Sequence, residues 1–221
     1  MSHPTVVRLL TLPITLTLLS GCGLRGSGTP ATELRELDSF DTIELSGAYE
    51  LVVHVEPGAA HKVEVTADDN IVPKITTTIS GGELDIGHQD DIKLLRPRTK
   101  IRVEVWTPSL LGIDASGASD VEVEGLHGER FELRLSGVSD STLGGAVDRF
   151  DVEISGAGEL DGKGLQAKVV TVELSGAGEA SVWASESLDV EISGAGEVSY
   201  WGSPARVSKQ ISGAGELRAG T

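Results

Sequence analysis

A short string that begins with Ser-Gly recurs along most of this chain, and no other feature of the sequence restricts the fold as much. The pairs begin at Ser46, Ser80, Ser116, Ser136, Ser155, Ser175, Ser193 and Ser212, and the last five spacings are 20, 19, 20, 18 and 19 residues. Four of the strings read Ser-Gly-Ala-Gly-Glu. Such regularity indicates one structural unit that is built repeatedly. The earlier spacings of 34 and 36 residues are about two units long, which predicts the same architecture with longer turns.

Apolar and polar residues alternate in the segment before each Ser-Gly pair. A period of two is typical of a β-strand with one buried face. The predicted inward positions of four such strands are Phe131, Leu133 and Leu135, then Phe150, Val152 and Ile154, then Val170, Val172 and Leu174, then Leu188, Val190 and Ile192. The first inward positions of the strands that follow the corners are Val121, Ser141, Leu160, Ala180, Val198 and Leu217. One repeat is therefore a strand, a glycine corner, a second strand and a polar turn.

The composition agrees with an all-β fold and excludes one class of function. Glycine contributes 28 of the 221 residues, whereas Phe, Trp and Tyr together contribute only 8, which disfavours a helical bundle of large side chains. The formal net charge is -16, and nucleic-acid recognition requires a dense cationic surface. We therefore expect no nucleic-acid partner.

A unit this short cannot bury its apolar face alone, so successive units must stack. Strands that recur at one period in one direction stack most simply as a parallel β-solenoid, with equivalent residues about 4.8 Å apart in columns. The alternative is an antiparallel meander or barrel with two strands per period. In the last unit Lys209 replaces an inward Val or Leu, as expected of a terminal cap.

The opening segment Phe-Asp-Thr-Ile-Glu-Leu-Ser-Gly, from Phe40 to Gly47, and the recurrent corners resemble the bacterial head GIN family, an auto-transporter adhesin-like family. The resemblance extends roughly from Leu37 to Leu217. It implies a right-handed parallel β-helix, here with coils of about 19–20 residues, similar in shape to pectate-lyase-like folds. It carries no set of catalytic residues, and it implies a role in adhesion.

The N-terminus has the features of a secreted lipoprotein. An apolar run of eleven residues, Leu9 to Leu19, is too short to span a bilayer and reads as a signal peptide. It ends in Leu-Ser-Gly-Cys, which resembles the bacterial lipobox, and Cys22 is the only Cys of the chain. The resemblance implies acylation of Cys22; an ordinary signal peptide with a free Cys is the alternative. The predicted organisation is a signal peptide at 1–21, the lipidated Cys and a flexible tether at 22–36, and a β-solenoid at 37–221.

Two acidic columns follow the repeat on the solvent side. The first column lies four residues after each corner Ser and contains Asp120, Asp140, Glu159, Glu179, Glu197 and Glu216, with Glu50 at the same offset. The second column contains Asp114, Glu153, Glu173 and Glu191 and is interrupted by Arg134 and Gln210. Carboxylates are hard ligands that could bind divalent cations, but a solvated, salt-screened surface is the favoured interpretation. We therefore predict neither a metal site nor a cofactor.

The three Trp residues, Trp106, Trp183 and Trp201, are predicted to point outward. Trp183 and Trp201 each follow their corner Ser by eight positions, so they should stack on adjacent coils. Exposed aromatic rings on a rigid sheet suit a glycan or a protein partner. The alternative is that a turn or Tyr200 covers them.

A basic segment accounts for many of the cations: Lys93, Arg96, Arg98, Lys100 and Arg102. It either contacts anionic lipid headgroups or polysaccharide, or it offsets the acidic surfaces nearby. The histidines show no spacing that would form a metal site, and we expect them at the surface.

Two functions compete. The first is a non-enzymatic protein of the bacterial cell envelope, anchored by lipid at the outer membrane or cell surface rather than the inner membrane, and used for adhesion or structure. A homo-oligomer would be compatible with it. The second is a carbohydrate-active enzyme of the polysaccharide-lyase or hydrolase type, since similar solenoids carry such chemistry. The acidic columns follow the repeat rather than converge on one groove, which favours the first.

Overall fold

The computed structural model describes residues 23–90, 92 and 94–220, and these residues form an all-β protein. A 3-10 turn at Val72–Lys74 is its one helical element in this range. The first nine strands are β1 (Leu24–Arg25), β2 (Pro30–Glu36), β3 (Thr42–Gly47), β4 (Glu50–Val55), β5 (Lys62–Asp68), β6 (Ile75–Ser80), β7 (Glu83–His88), β8 (Leu95–Arg96) and β9 (Arg102–Thr107). The remaining six are β10 (Gly112–Gly156), β11 (Glu159–Gly176), β12 (Glu179–Gly194), β13 (Glu197–Gly202), β14 (Arg206–Gly213) and β15 (Glu216–Ala219). The predicted signal peptide and Cys22 lie outside the described residues.

The repeat units pair in parallel and in matched register. Ser155 pairs with Ser175, Ser175 with Ser193, and Ser193 with Ser212. The strands on either side of each corner keep this alignment: β11 runs beside β12 along most of its length, and beside residues 140–156 of β10. Parallel pairing excludes the antiparallel meander for this region, because a meander would reverse direction at every turn.

The alternating apolar residues form the core, as the sequence predicts. All twelve predicted inward positions of the four first strands are at most 3% exposed. Phe131 and Phe150 lie on neighbouring units with their ring centroids 6.1 Å apart. The final unit is different, since every residue of β14 is exposed, including Lys209. This agrees with the prediction of a wetter terminal unit.

A column of glycines holds the corners together at close range. The corner glycines have φ between +109° and +142°, a region that L side chains rarely adopt. A Cβ atom placed on Gly137 would lie 2.3 Å from the carbonyl oxygen of Gly117, and one on Gly156 would lie 2.3 Å from that of Gly137. That oxygen also accepts a hydrogen bond from the Ala157 backbone N–H at 2.9 Å. Glycine is therefore required here by both the dihedral angle and the neighbouring chain.

We expect Gly137→Ala to lower the free energy of unfolding by about 2–5 kcal/mol, because positive φ costs about 1–2 kcal/mol and overpacking about 1–3 kcal/mol. Gly128→Ala is the matched control: Gly128 has φ +125° but nothing within 4 Å of its Cβ position. The Gly128→Ala variant should lose only the part of the unfolding free energy that comes from positive φ, about 1–2 kcal/mol. Urea unfolding of the two variants measures the difference, and equal losses would show that the close approach contributes nothing.

The N-terminal part departs from the repeat. Ser46 of β3 pairs directly with Ser116, so these two corners are neighbours in space. Ser80 does not form a corner of the column. It ends β6 at a hairpin turn, where β6 and β7 pair antiparallel. Strand β5 likewise pairs antiparallel with both β2 and β9. The expectation of the same architecture over Ser46–Ser116 is thus confirmed for β3, β4, β7 and β9, which pair in parallel. It is wrong for β5 and β6, because the spacing of two units here encloses inserted antiparallel strands.

The segment predicted as a flexible tether is built into the sheet structure. Strand β1 pairs with β8, and β2 pairs with β5 over seven residues. The side chain of Asp68, which is fully buried, holds this segment in place. Its carboxylate accepts hydrogen bonds from the backbone N–H groups of Gly28 and Arg98, both at 2.8 Å, and from Thr99. The expectation of a flexible segment is therefore corrected for residues 23–36.

The pKa of Asp68 reflects two opposing effects. Burial by itself raises the pKa, and the hydrogen bonds from Arg98, Thr99 and Gly28 lower it, with a net result below the ordinary value. Asp68 therefore stabilises the fold above its unfolded pKa of about 3.9, and this stabilisation is lost as the pH falls through the lower folded value.

We expect Asp68→Asn to be less stable than the wild type at pH 7, since an amide cannot accept four hydrogen bonds in the same way. The difference between the two proteins should shrink below about pH 4, where the wild-type carboxylate is protonated in the unfolded chain. Asp38→Asn, at an exposed residue, controls for loss of a negative charge. Melting temperatures from pH 2 to 8 test this; a difference independent of pH would contradict it.

Candidate functional site

The structure aligns the first acidic column as a ladder of register partners. Glu159 pairs with Asp140 on one side and with Glu179 on the other. Glu197 pairs with Glu179 and with Glu216, and Glu50 pairs with Asp120. Like charges on neighbouring strands destabilise a sheet, so this ladder is an electrostatic cost of the repeat.

Basic side chains offset both ends of the ladder. At one end Lys100 lies 4.0 Å from Glu50 and 3.8 Å from Asp120, and Arg102 also pairs with Glu50. At the other end Arg218 bonds to Glu197 at 2.9 Å and to Glu216 at 2.7 Å. Arg218 lowers the pKa of Glu216.

The middle of the ladder has no such compensation. In the part of the chain that the structure describes, Asp140, Glu159 and Glu179 form no ion pair. No group of three His, Cys, Asp or Glu side chains in this part is arranged to hold a metal ion.

The second acidic column is also realised, and its charges interact. Glu44 lies between Asp85 and Asp114 in register. Desolvation and the neighbouring carboxylates of Glu83, Asp85 and Asp114 raise the pKa of Glu44. Farther along, Arg134 interrupts the column and pairs with Glu132 and with Glu153, the latter at 3.6 Å. The interruption therefore places a cation where it relieves the repulsion.

We expect Glu179→Gln to raise the melting temperature at low salt, equivalent to about 0.2–1 kcal/mol, because it removes repulsion from both register partners. The gain should vanish in 0.5 M NaCl, where screening is strong. Glu216→Gln is the matched control and should lower stability, since Glu216 is paired with Arg218.

Calcium provides a second comparison for the same ladder. Ca²⁺ should stabilise the wild type no more than NaCl at equal ionic strength. A larger stabilisation by Ca²⁺ that Glu179→Gln abolishes would instead indicate a specific cation site.

Trp183 and Trp201 lie on neighbouring strands and are register partners. Both are half-buried. Trp183 lies between buried Val182 and Ala184, which places it on the outward side as predicted, whereas Trp201 lies between half-buried Tyr200 and exposed Gly202. Tyr200 packs against the core rather than over them. Trp201 is partly covered, because the backbone at Gly220 lies against its ring and the Lys163 ammonium is 5.3 Å from the ring centroid.

A groove of about 290 Å³ opens beside Trp183. Its polar lining includes Gln166, Lys168, Asp148 and Ser185. Gln166 is a register partner of Trp183, and Lys168 bonds to Asp148 at 2.6 Å. We call this the Trp183 groove. It combines one aromatic face with hydrogen-bonding groups, a combination that suits sugar rings.

Trp106 has a different environment. Its ring stacks on His54 at 5.2 Å, and the Lys62 ammonium lies 4.1 Å from its centroid. His54 also approaches Glu104 and Glu124 at 3.8 and 3.9 Å. The alternation of Val103 and Val105 with Trp106 predicted that the Trp106 ring points outward. Its partners His54 and Lys62 lie on strands β4 and β5, and no local sequence pattern shows that these strands pair with β9.

The basic segment divides into two parts. Lys100 and Arg102 pair with the acidic residues described above, so they offset neighbouring charge. Arg96 and Arg98 are exposed and form no ion pair with another described residue. Lys93 lies outside the described residues. The interpretation of charge offset is therefore confirmed for Lys100 and Arg102, and contact of Arg96 and Arg98 with an anionic partner stays a prediction.

A family model for the "Putative auto-transporter adhesin, head GIN domain" matches residues 39–204. The chain belongs to the head GIN family. The match confirms the resemblance of the Phe40–Gly47 segment and of the repeated corners, and it includes the Trp183 groove and both acidic columns over most of their length. The family's description as an adhesin indicates a protein of the cell surface or envelope.

Three crystal structures share this head GIN fold. A putative adhesin from Bacteroides fragilis NCTC 9343 has 22% identity and a TM-score of 0.72, over 89% of this chain and 100% of the other. A putative lipid binding protein from Parabacteroides distasonis ATCC 8503 has 21% identity and a TM-score of 0.57, over 90% and 100%. A putative adhesin from Parabacteroides merdae ATCC 43184 has 18% identity and a TM-score of 0.56, over 90% and 99%. At these identities the similarity concerns the fold alone.

No curated protein shows significant sequence similarity to this chain. Among the described residues, no helix is long and apolar enough to cross a membrane.

Proposed function

We propose that this head GIN protein is a lipid-anchored, non-enzymatic binding module of the bacterial cell envelope, built as a right-handed parallel β-helix and held at the outer membrane or cell surface. The observation that carries the proposal is the Trp183 groove on an otherwise regular, rigid surface. Four residues past Glu179 on the same strand, a separate column of register partners, Gln166, Trp183 and Trp201, carries amide and aromatic groups in place of carboxylates.

The β-helix is supported by the parallel register of the units. Each corner stacks on the previous one through the glycine contact, and each inward strand lies on its equivalent. Connections between parallel strands are right-handed in nearly all proteins, which favours the right-handed form.

Binding at the Trp183 groove fits the chemistry of a glycan. The indole ring offers an apolar face for the C–H side of a sugar, and Gln166 and Ser185 offer a donor and acceptors for its hydroxyls. Because the strands are paired on both sides, the groove is pre-formed, which reduces the entropy lost on binding.

We expect Trp183→Ser/Trp201→Ser to abolish binding to the partner found in a glycan and cell-surface screen. The two rings are half-buried, so the loss of stability should be about 1–3 kcal/mol, below the 3–5 kcal/mol per residue of buried aromatic side chains. Trp106→Ser, at the ring contacted by His54 and Lys62, is the matched control and should retain binding. Equal binding by the two variants would reject the groove as the site.

The lipid anchor is tested at Cys22. Metabolic labelling with a palmitate analogue should label the wild type and leave Cys22→Ala unlabelled, and the variant should leave the membrane fraction, since acyl chains supply the membrane affinity. Equal labelling of both proteins would reject acylation at Cys22. This measurement is independent of the glycan screen, so the two parts of the proposal can fail separately.

A further inference from the structure

The first described residues are fixed against a basic, exposed part of the domain. The Leu24 N–H donates to the Leu94 carbonyl oxygen and the Gly26 N–H donates to that of Arg96, both at 2.9 Å. These bonds pair β1 with β8 in register, with Arg25 opposite Arg96. Asp68 then holds the next turn of the chain through Gly28 and Arg98.

The proposed anchor joins the domain at this surface, because Gly23 directly follows Cys22 in the sequence. Gly23 lies against the backbone of Leu94, since a Cβ placed on it would be 3.2 Å from the Leu94 carbonyl oxygen. Acyl chains on Cys22 would therefore be attached next to β1 and β8 rather than at the end of a long linker.

Three exposed cations gather at this point. Arg25, Arg96 and Arg98 form no ion pair with any other residue of the described chain, whereas most of the remaining arginines do. Arg25 and Arg96 are register partners, so two like charges face each other on a ladder of two residues. Such a pair is unfavourable unless an anion lies nearby.

An exposed apolar side chain lies among them. Leu94 is 48% exposed and directly precedes β8. A large apolar residue flanked by arginines is the composition of a membrane-surface contact, in which the apolar group enters the headgroup region and the cations meet lipid phosphates.

We propose that Arg25, Arg96, Arg98 and Leu94 form a docking surface for the anionic phospholipid membrane that holds the anchor. This surface sets the orientation of the domain relative to the membrane. This rests on the acylation of Cys22 in the proposed function. The formal net charge of -16 opposes contact with an anionic bilayer, so contact is favoured where cations outnumber carboxylates. Here three arginines face one exposed carboxylate, that of Asp69, which accepts a hydrogen bond from Ser27 at 2.6 Å. Docking here directs the opposite end of the stack, with β14, away from the membrane.

The test uses the acylated full-length protein in vesicles that contain spin-labelled lipid. A fluorophore on Pro97→Cys, an exposed position between Arg96 and Arg98, reports contact with the bilayer, and one on Ser208→Cys in β14 reports the far end of the stack. Cys22 is blocked by its acyl chains, so each introduced thiol is labelled alone. Vesicles contain either phosphatidylcholine alone or phosphatidylcholine with phosphatidylglycerol.

In anionic vesicles the label at position 97 should be strongly quenched and the label at position 208 should not. Arg25→Glu/Arg96→Glu should reduce quenching at position 97 to the level of the far label. Arg206→Glu/Lys209→Glu makes the same change of net charge in β14 and should leave quenching at position 97 unaltered. Thermal melting checks that both double variants fold.

Two results would overturn the proposal in different ways. If the protein floats with the vesicles but the two labels are quenched equally, attachment through the lipid anchor is supported and the docking surface is rejected. If the wild type does not float with vesicles, acylation itself fails, and the docking proposal fails with it.

Discussion

The contact between successive corner glycines is the constraint on which the rest of the repeat depends. The Gly137 carbonyl oxygen accepts the Ala157 N–H at 2.9 Å and occupies the space that a Cβ on Gly156 would need. One atom thus both bonds the next unit and limits its residue to glycine. Because every corner is held at this distance, the strands on either side are brought into the same register. Burial of the inward Val, Leu, Ile and Phe side chains then follows from alternation alone.

The same register produces the electrostatic character of the surface. A residue at a fixed offset from the corner lies beside the equivalent residue of the next unit. A repeated Glu therefore forms a ladder of carboxylates. Arg218 at one end and Lys100 at the other relieve only the outer members. A repeat protein that duplicates a favourable corner therefore also duplicates an unfavourable charge. The neighbouring column of Gln166, Trp183 and Trp201 carries no carboxylate, and there the surface is suited to recognition.

The N-terminal part is held by a different interaction. A single buried carboxylate, Asp68, collects backbone N–H groups from Gly28, Arg98 and Thr99 and so joins three distant segments. Gly26 packs against it, since a Cβ there would lie 1.9 Å from the Asp68 carboxylate. This arrangement fixes the segment from Gly26 to Gly28, which follows the predicted lipid anchor in the sequence. Binding at the Trp183 groove and docking at the arginines would then act at different places on the domain.

We could predict the repeat, its parallel stacking, the inward residues and the outward side of Trp183 from the sequence, because these features depend on spacing and on a period of two. Other features depend on contacts between distant segments. Ser80 has the same Ser-Gly pair as the corners but ends a hairpin, since a dipeptide does not specify its partner strand. Residues 23–36 look like a linker, yet they pair with β5 and β8. The partners of Asp68 and of Trp106 come from segments distant in the chain, and contacts of that kind leave no local pattern, because they depend on which strands the long-range pairing brings together.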